Sequence, residues 1–432
     1  MRTTIIKDVS DSKEFKNKLL SWAQQFREVL FLDSNEYPQQ YSSFDCVLAV
    51  DAFTSIKTDY FNAFEDLKQY QQTTKDWLFG YLAYDLKNDT EKLSSSNFDG
   101  LKFPDMFFFQ PKKLFILKEG QLEMQYLFLC DDEIQSDFSE IVSTEIFDMS
   151  KSSVEDEKIN INQRISSDEY VEKVTQVLEH IHRGDIYEAN FCMEFYAENT
   201  VINPLEKFHK LNNISKPPFA TFFKNHTHFA LSASPERYIR KTGKEIISQP
   251  IKGTSKRFED LNEDENSKIK LQNDKKERSE NIMITDLVRN DLSKTAQKSS
   301  VEVVEMCQIY SFLQVHQMIS TIKSELDDQY DVVDVLKTTF PMGSMTGAPK
   351  VSVMKIIEEV EETKRGLYSG AIGYFTPDGD FDFNVIIRSI LYNSAEKYVS
   401  FSVGSAITAL AKPESEYEEC LLKANAMFQV LK

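Results

Sequence analysis

Two carboxylates and an amine recur at helical spacing near the end of the chain. Glu416, Glu419 and Lys423, three and four residues apart, fall on one face of a helix predicted over 414–431, with Glu418 beside them. A second acidic pair, Glu277 and Glu280, lies three apart in a charged helix predicted over about 275–291. Mg²⁺ prefers oxygen ligands, keeps several waters, and is held by one or two carboxylates together with oxygens of its ligand. Acidic faces are also common on solvated helices, so each pair gains meaning only from its neighbours. A lysine offers different chemistry. In Gln249-Pro250-Ile251-Lys252-Gly253-Thr254, Lys252 stands between an apolar residue and a glycine that lets backbone come close to a ligand. Lysine attacks as a neutral amine, which requires burial or nearby cations to lower its pKa.

The elements that must position these groups are marked in the second half. Ser166 with Glu169 forms a capping box, Tyr170, Val171, Val174, Val177, Leu178 and Ile181 repeat at helical spacing, and Gly184 ends the helix. A strand is predicted over 186–195, another around Phe229, and a hairpin over 238–247 turning at Thr242-Gly243-Lys244. Pro349 suits the first turn of a helix through Val351, Met354, Ile356 and Ile357. Pro377-Asp378-Gly379 turns a further hairpin ending in Asn384-Val385-Ile386-Ile387-Arg388, and a strand over 398–403 leads through Gly404 to the last helix. Helices alternating with antiparallel hairpins predict an α+β layered sheet architecture, not a Rossmann unit. Polar, aperiodic residues 149–164 mark a boundary between an N-terminal region, 1–155, and a second region, 160–432.

The chain has 432 residues, 41% of them hydrophobic, enough for a large core. Its net charge of −19 repels nucleic acid and anionic membrane surfaces, so an anionic small substrate needs a local cluster of cations or a divalent ion. The five cysteines are scattered, without zinc-ligand spacing, and read as free thiols of a reducing cytosol. The first residues lack a signal-peptide core and no apolar run suits a membrane span, so a cytoplasmic protein is expected.

Five segments then occur in order: Ser234-Pro235-Glu236-Arg237, Pro250 to Thr254, Glu280 to Asp291 (ENIMITDLVRND), Gly343 to Lys350 (GSMTGAPK) and Arg365 to Ala371 (RGLYSGA). The set resembles the chorismate-utilising enzymes, densely over 165–432. In the N-terminal region, Leu30-Phe31-Leu32-Asp33-Ser34 resembles the family's regulatory segment, and the two halves are expected to interleave in one core. Lysine in the Pro-Ile-Lys-Gly-Thr segment resembles the aminodeoxychorismate synthase branch, whereas anthranilate synthases generally carry alanine there.

The resemblance implies amination of chorismate at C4, with anthranilate formation as the alternative, on a layered α/β/β/α fold. It implies Mg²⁺ held by Glu280 and Glu419, with Glu277 and Glu416 beside them or acting through water, gripping the ring carboxylate. Glu236 matches the general acid, which must be protonated near neutral pH. Lys252 matches the nucleophile at C2. Tyr368 and Arg388 match residues holding the enolpyruvyl carboxylate, and Lys423 a further carboxylate contact. Ser344 stands where the family usually has threonine, and Thr254, Gly253, Gly343 and Gly404 line the approach to the ligand. His316 falls on a position near the reacting ring, although an unplaced histidine is as readily a core residue. Glu188 departs from the pattern: ammonia-using members typically carry glutamine there and water-using members a lysine base, so its identity argues against isochorismate formation. Ammonia is expected from a separate glutamine amidotransferase subunit, forming a heterodimer.

Overall fold

The computed structural model describes residues 1–37, 41, 43–145, 159–312 and 315–432. Most of the predicted connection at 149–164 lies outside the described residues; its described end carries a short strand, Asn162–Gln163, paired with Phe195 and Tyr196.

Two antiparallel sheets share two long strands, Cys46–Thr58 and Met106–Lys118. The later half of Met106–Lys118 and the earlier half of Cys46–Thr58 belong to a sheet that continues through Glu28–Asp33, Phe219–Asn225, His228–Ser234, Ser389–Asn393, Tyr398–Thr408 and Glu188–Ala197. The earlier half of Met106–Lys118 opens the second sheet, through Leu78–Leu82, Ala371–Phe375, Phe381–Val385, Arg237–Thr242, Glu245–Ser248 and Val315–Glu325. Ile251–Lys256 and Glu302–Ser311 flank that last strand. A register shift between Ala52 and Thr54 lets the shared pair turn from one sheet into the other.

Alternation along the first sheet shows why it is buried on both faces. Val29, Phe31, Cys46, Leu48 and Val50 point into one core with the helices Ser167–Arg183, Pro204–Ser215 and Pro413–Leu431, while Leu30, Leu32, Val47 and Ala49 point into a second core between the sheets. There they meet Phe79, Tyr81, Phe107, Phe109, Phe223 and Ile372. A third core lies under the helices Lys275–Ser293 and Val332–Thr339 on the outer face of the second sheet. The layers are therefore helix, sheet, sheet, helix, and strands of the first 150 residues hydrogen-bond directly to strands of the second half.

The capped helix forms as its sequence requires: both capping-box bonds of Ser166 and Glu169 are present, and Gly184 ends it in the left-handed region at φ +89°. The hairpins at Gly243 and at 377–379 also form. Three boundaries differ from expectation. Pro349 precedes the helix Lys350–Val360 as its cap instead of opening its first turn. The strand before Arg388 stops at Val385, since Arg388 itself adopts φ +53° and cannot continue a ladder. Gly404 lies within Tyr398–Thr408, not at its end, because Gly404 pairs with Cys192 and the ladder runs on to Thr408. Among the described residues no helix is long and apolar enough to cross a membrane.

Candidate active site

Lys252 is aimed by a bulge. Ile251–Lys256 loses register with Val315–Glu325 between Ile251 and Thr254, and Gly253 supplies the positive φ of +92° that this needs. From the Lys275–Ser293 helix, Asn281 Nδ2 donates to the Met318 carbonyl at 3.1 Å and reaches the Lys252 carbonyl at 3.5 Å, fixing the bulge from behind. Lys252 Nζ donates to Glu188 Oε1 at 2.8 Å, with side-chain exposures of 10% and 0%. Burial pushes the ammonium down, but Glu188, Glu280 and Glu236 outweigh it and hold Lys252 above the ordinary lysine range. The expected depression is thereby corrected: in the free protein the amine keeps its proton, because three carboxylates exceed the desolvation penalty.

Glu188 opens the strand Glu188–Ala197, where its backbone lies between Thr408 and Ala348. Its Oε2 is buried without a hydrogen-bond partner. Glu236 lies between the strands His228–Ser234 and Arg237–Thr242 and is 3% exposed. Ser344 Oγ donates to Glu236 Oε1 at 2.6 Å. Burial raises this carboxyl to about 7, although Ser344, Lys252 and the Ile251 amide pull the other way. Glu236 is thus a carboxylic acid that holds its proton close to neutrality, as an acid catalyst requires.

The acidic residues divide into free and engaged groups. Glu280 is buried, its Oε1 without a hydrogen bond and 3.9 Å from Lys276 Nζ, and burial, reinforced by Glu188 and Glu277 against Lys252 and Lys276, raises it to about 8. Glu277 is raised as well, by burial and by Glu419. Glu419 is lowered: burial pushes it up, but Lys423, at 2.6 Å, and Lys276 prevail. Glu416 departs from the expected ligand role because both oxygens are taken, one by Ser405 Oγ and the other by Lys276 Nζ at 2.9 Å. Among the described residues no three His, Cys, Asp or Glu side chains are gathered closely enough to hold an ion unaided. A Mg²⁺ ion needs fewer protein ligands when substrate oxygens and water complete its shell. The buried Glu280 oxygen without a hydrogen bond, with Glu277 in electrostatic reach of it and Glu419 in reach of Glu277, fits such an ion.

The remaining expected residues separate similarly. Arg388 has no ion-pair partner among the described residues; burial lowers its pKa while Tyr368 and Glu419 favour its charge. Tyr368 is buried, 3.9 Å from Cys192 Sγ. Lys423 Nζ donates to the Gly404 carbonyl at 2.9 Å. A Cβ on Gly404 would stand 2.6 Å from Cys192 Sγ, so any larger residue there forces the Cys192 side chain or the strand pair to shift. Thr254 is exposed opposite Gln317. His316 is not joined to the cluster: its nitrogens are taken by Ser311 Oγ at 2.8 Å and Asp264 Oδ1 at 3.1 Å, which makes it a structural residue of the neighbouring strand pair.

These positions now have a family setting. The sequence pattern of the chorismate binding enzymes matches residues 27–429. The chain belongs to that family. It is 33% identical over 356 residues to an anthranilate synthase component I-like protein of Synechocystis sp., covering 82% of this chain and 72% of that one. It is 38% identical over 267 residues to aminodeoxychorismate synthase component 1 of Escherichia coli, covering 62% of this chain and 58% of that one. In three dimensions it superimposes on anthranilate synthase component I of Streptococcus pneumoniae with a TM-score of 0.78 at 22% identity, over 92% and 93% of the two chains.

Sequence reasoning missed a buried fork that holds the site's walls together. Arg365 binds Glu361 through Nε at 2.9 Å and Nη2 at 2.6 Å, and donates to the carbonyls of Met345 and Asn190, each at 2.6 Å. It thereby joins the segment of Ser344 to the strand of Glu188. Lys276, which neutralises Glu416, was also missed; both look like surface charges in sequence.

Proposed function

We propose that this enzyme aminates chorismate at C4 to give 4-amino-4-deoxychorismate, in the folate and 4-aminobenzoate branch. The observation that carries the reading is Lys252, held on its bulge in electrostatic reach of both Glu236 and Glu280. Lys252 attacks C2 while Glu236 protonates the departing C4 hydroxyl, which leaves as water. Ammonia then attacks C4 and expels the lysine, restoring the ring's double-bond pattern. Arg388 and Tyr368 hold the enolpyruvyl carboxylate, a guanidinium suiting a planar bidentate partner, and Lys423 steadies a second carboxylate. Glu280 and Glu419, with Glu277 beside them, would hold a Mg²⁺ ion, which when bound would supply charge neutralisation and Lewis-acid polarisation at the ring carboxylate. The likeness to the E. coli protein supports the reading. Ammonia reaches the site from a separate glutamine amidotransferase subunit, in a cytosol that keeps the five buried cysteines reduced.

The similarity to the Synechocystis protein favours a second reading, amination at C2 with loss of pyruvate. Turnover of chorismate with Mg²⁺ and ammonium separates the two. A 4-amino product that a lyase converts to 4-aminobenzoate is expected, and lysine-to-alanine replacement at Lys252 should abolish or redirect it. Fluorescent 2-aminobenzoate as the sole product overturns the proposal.

A further inference from the structure

Lys252 presents a difficulty that its own neighbours resolve. The proposed attack requires a neutral amine, yet Glu188, Glu280 and Glu236 keep it charged in the free protein. Its proton must therefore pass to a group already in contact. Glu188 is the residue whose oxygen touches Nζ, at 2.8 Å; it is fully enclosed, and its second oxygen has no partner. An enclosed lysine and glutamate in contact can exchange a proton without moving heavy atoms. Expulsion of water by a bound ligand favours the neutral amine and acid over the ion pair, since desolvation penalises both charges at once.

We propose that Glu188 is the proton acceptor for Lys252, taking the proton that frees the amine to attack and returning it when the amine leaves. This rests on the amination reading above. The steps balance. Lys252 ammonium passes one proton to the Glu188 carboxylate. The amine bonds to C2 as the C4–O bond breaks, and Glu236 supplies the proton that makes the hydroxyl leave as water. Ammonia bonds to C4 as the C2–N bond breaks, releasing neutral lysine, which recovers its proton from Glu188. The C4 ammonium restores Glu236, so chorismate and ammonia become aminodeoxychorismate and water. Glutamine at this position could hold the lysine but not carry its proton; the acid at 188 therefore changes chemistry as well as charge.

The competing account makes Glu188 a counter-ion only, and the two predict opposite signs. Removing a mere counter-ion lets burial depress Lys252, so E188Q would form the neutral amine more readily and react as fast or faster at neutral pH. Removing a proton acceptor slows the reaction, typically ~10²- to 10⁴-fold, even as the amine's affinity for its proton falls.

The full chain and E188Q are compared with chorismate, Mg²⁺ and ammonium from pH 7 to pH 10, following the 4-amino product, and without ammonium by intact mass for a lysine adduct. Chorismate binding is measured by calorimetry as a check on folding. The expected result for E188Q is near-unchanged binding, a kcat lowered by ~10²-fold or more at neutral pH, slow adduct formation, and a rate that climbs with pH as solvent takes over the proton. Wild-type rate and pH profile in E188Q, or a faster neutral-pH rate, overturn the proposal while leaving the amination reading intact. Absence of a 4-amino product from the wild type overturns that reading and this inference with it. Should E188Q not fold, E188D decides: a carboxylate drawn back by one carbon is expected to lower kcat by ~10²-fold with the pH profile retained, and wild-type kcat there overturns the proposal.

Discussion

Replacing Glu236 by glutamine should stabilise the protein in a strictly pH-dependent way while removing its activity. The glutamate is 3% exposed and its carboxyl titrates at about 7, against 4.5 for an ordinary glutamate, chiefly because burial penalises the anion. A carboxyl with a raised folded-state pKa lends its full stability below 4.5 and loses it as pH climbs through 7. Linkage between those two pKa values gives a penalty of about 0.8 kcal/mol at pH 5 and about 3.3 kcal/mol at pH 8. Glutamine has no charge to hide, and the Ser344 hydroxyl can switch from donor to acceptor to meet its amide, so the variant escapes the penalty. Its advantage over wild type should grow by about 2.5 kcal/mol between pH 5 and pH 8, roughly 3 °C in midpoint for a chain of this length if it unfolds in one step. Thermal and urea unfolding of both proteins at pH 5, 6.5 and 8, without ligand or divalent ion, reads this directly. A difference that stays flat with pH refutes the reasoning, since Glu236 would then ionise normally. So does a variant that retains turnover, because the acid that protonates the leaving hydroxyl would be elsewhere.

Three further outcomes follow from other parts of the site. Gly404→Ala drives a methyl against Cys192 Sγ and should destabilise by about 1–3 kcal/mol in denaturant unfolding, and adding Cys192→Ala should recover part of that loss; no recovery means the clash lies elsewhere. Arg388→Lys keeps the charge but loses the fork, so chorismate affinity measured by calorimetry should fall by about tenfold or more while the unfolding midpoint hardly moves. Glu361→Gln leaves the Arg365 guanidinium buried without its counter-charge and should destabilise by about 3–5 kcal/mol, accompanied by a lower kcat, because Arg365 also ties the segments of Ser344 and Glu188 together; a full-strength kcat would show that this fork does not position the site.

Much of the fold could be read locally. The Ser166–Glu169 capping box, the 3.6-residue stripe ending at Gly184 and the turn glycines of the hairpins are short-range devices, and each forms where its sequence puts it. The two-sheet arrangement could not be read this way. The residues of Cys46–Val50 form an apolar run that does not reveal which members face the helices and which face the second sheet, and the shift between Ala52 and Thr54 is a tertiary bend. At the site, residue types pointed to carboxylates and a lysine, yet their electrostatic state depends on neighbours remote in sequence. Lys252 was expected to be depressed by burial; Glu188, 64 positions earlier, reverses that. Glu416 looked as available as Glu419, and only the approach of Lys276 and Ser405 engages it. His316 likewise became structural through Asp264, on a helix that its own strand does not announce.

The charges of the site bear on how a chain of net charge −19 can take a doubly anionic substrate. Lys252 faces Glu188, Lys276 faces Glu416 and Lys423 faces Glu419, so each lysine already has a carboxylate against it. Among the described residues Arg388 is the exception, with Glu419 acting on it only at a distance. Glu277 and Glu280 remain without a full counter-charge, and burial answers this by raising both, Glu280 to about 8. A dianion entering such a surround gains little from lysines that must first release their partners, and it is repelled by the surplus carboxylates. Among the described residues of the site one guanidinium has no ion-pair partner to give up; protons kept on Glu236 and Glu280, raised to about 7 and about 8, lessen the repulsion, and a cation at Glu280 would add to the compensation. The same surplus of carboxylates that makes Lys252 hard to deprotonate is what a divalent ion would offset, so in the proposed reaction one arrangement would answer both needs, with Glu188 as the adjacent acceptor.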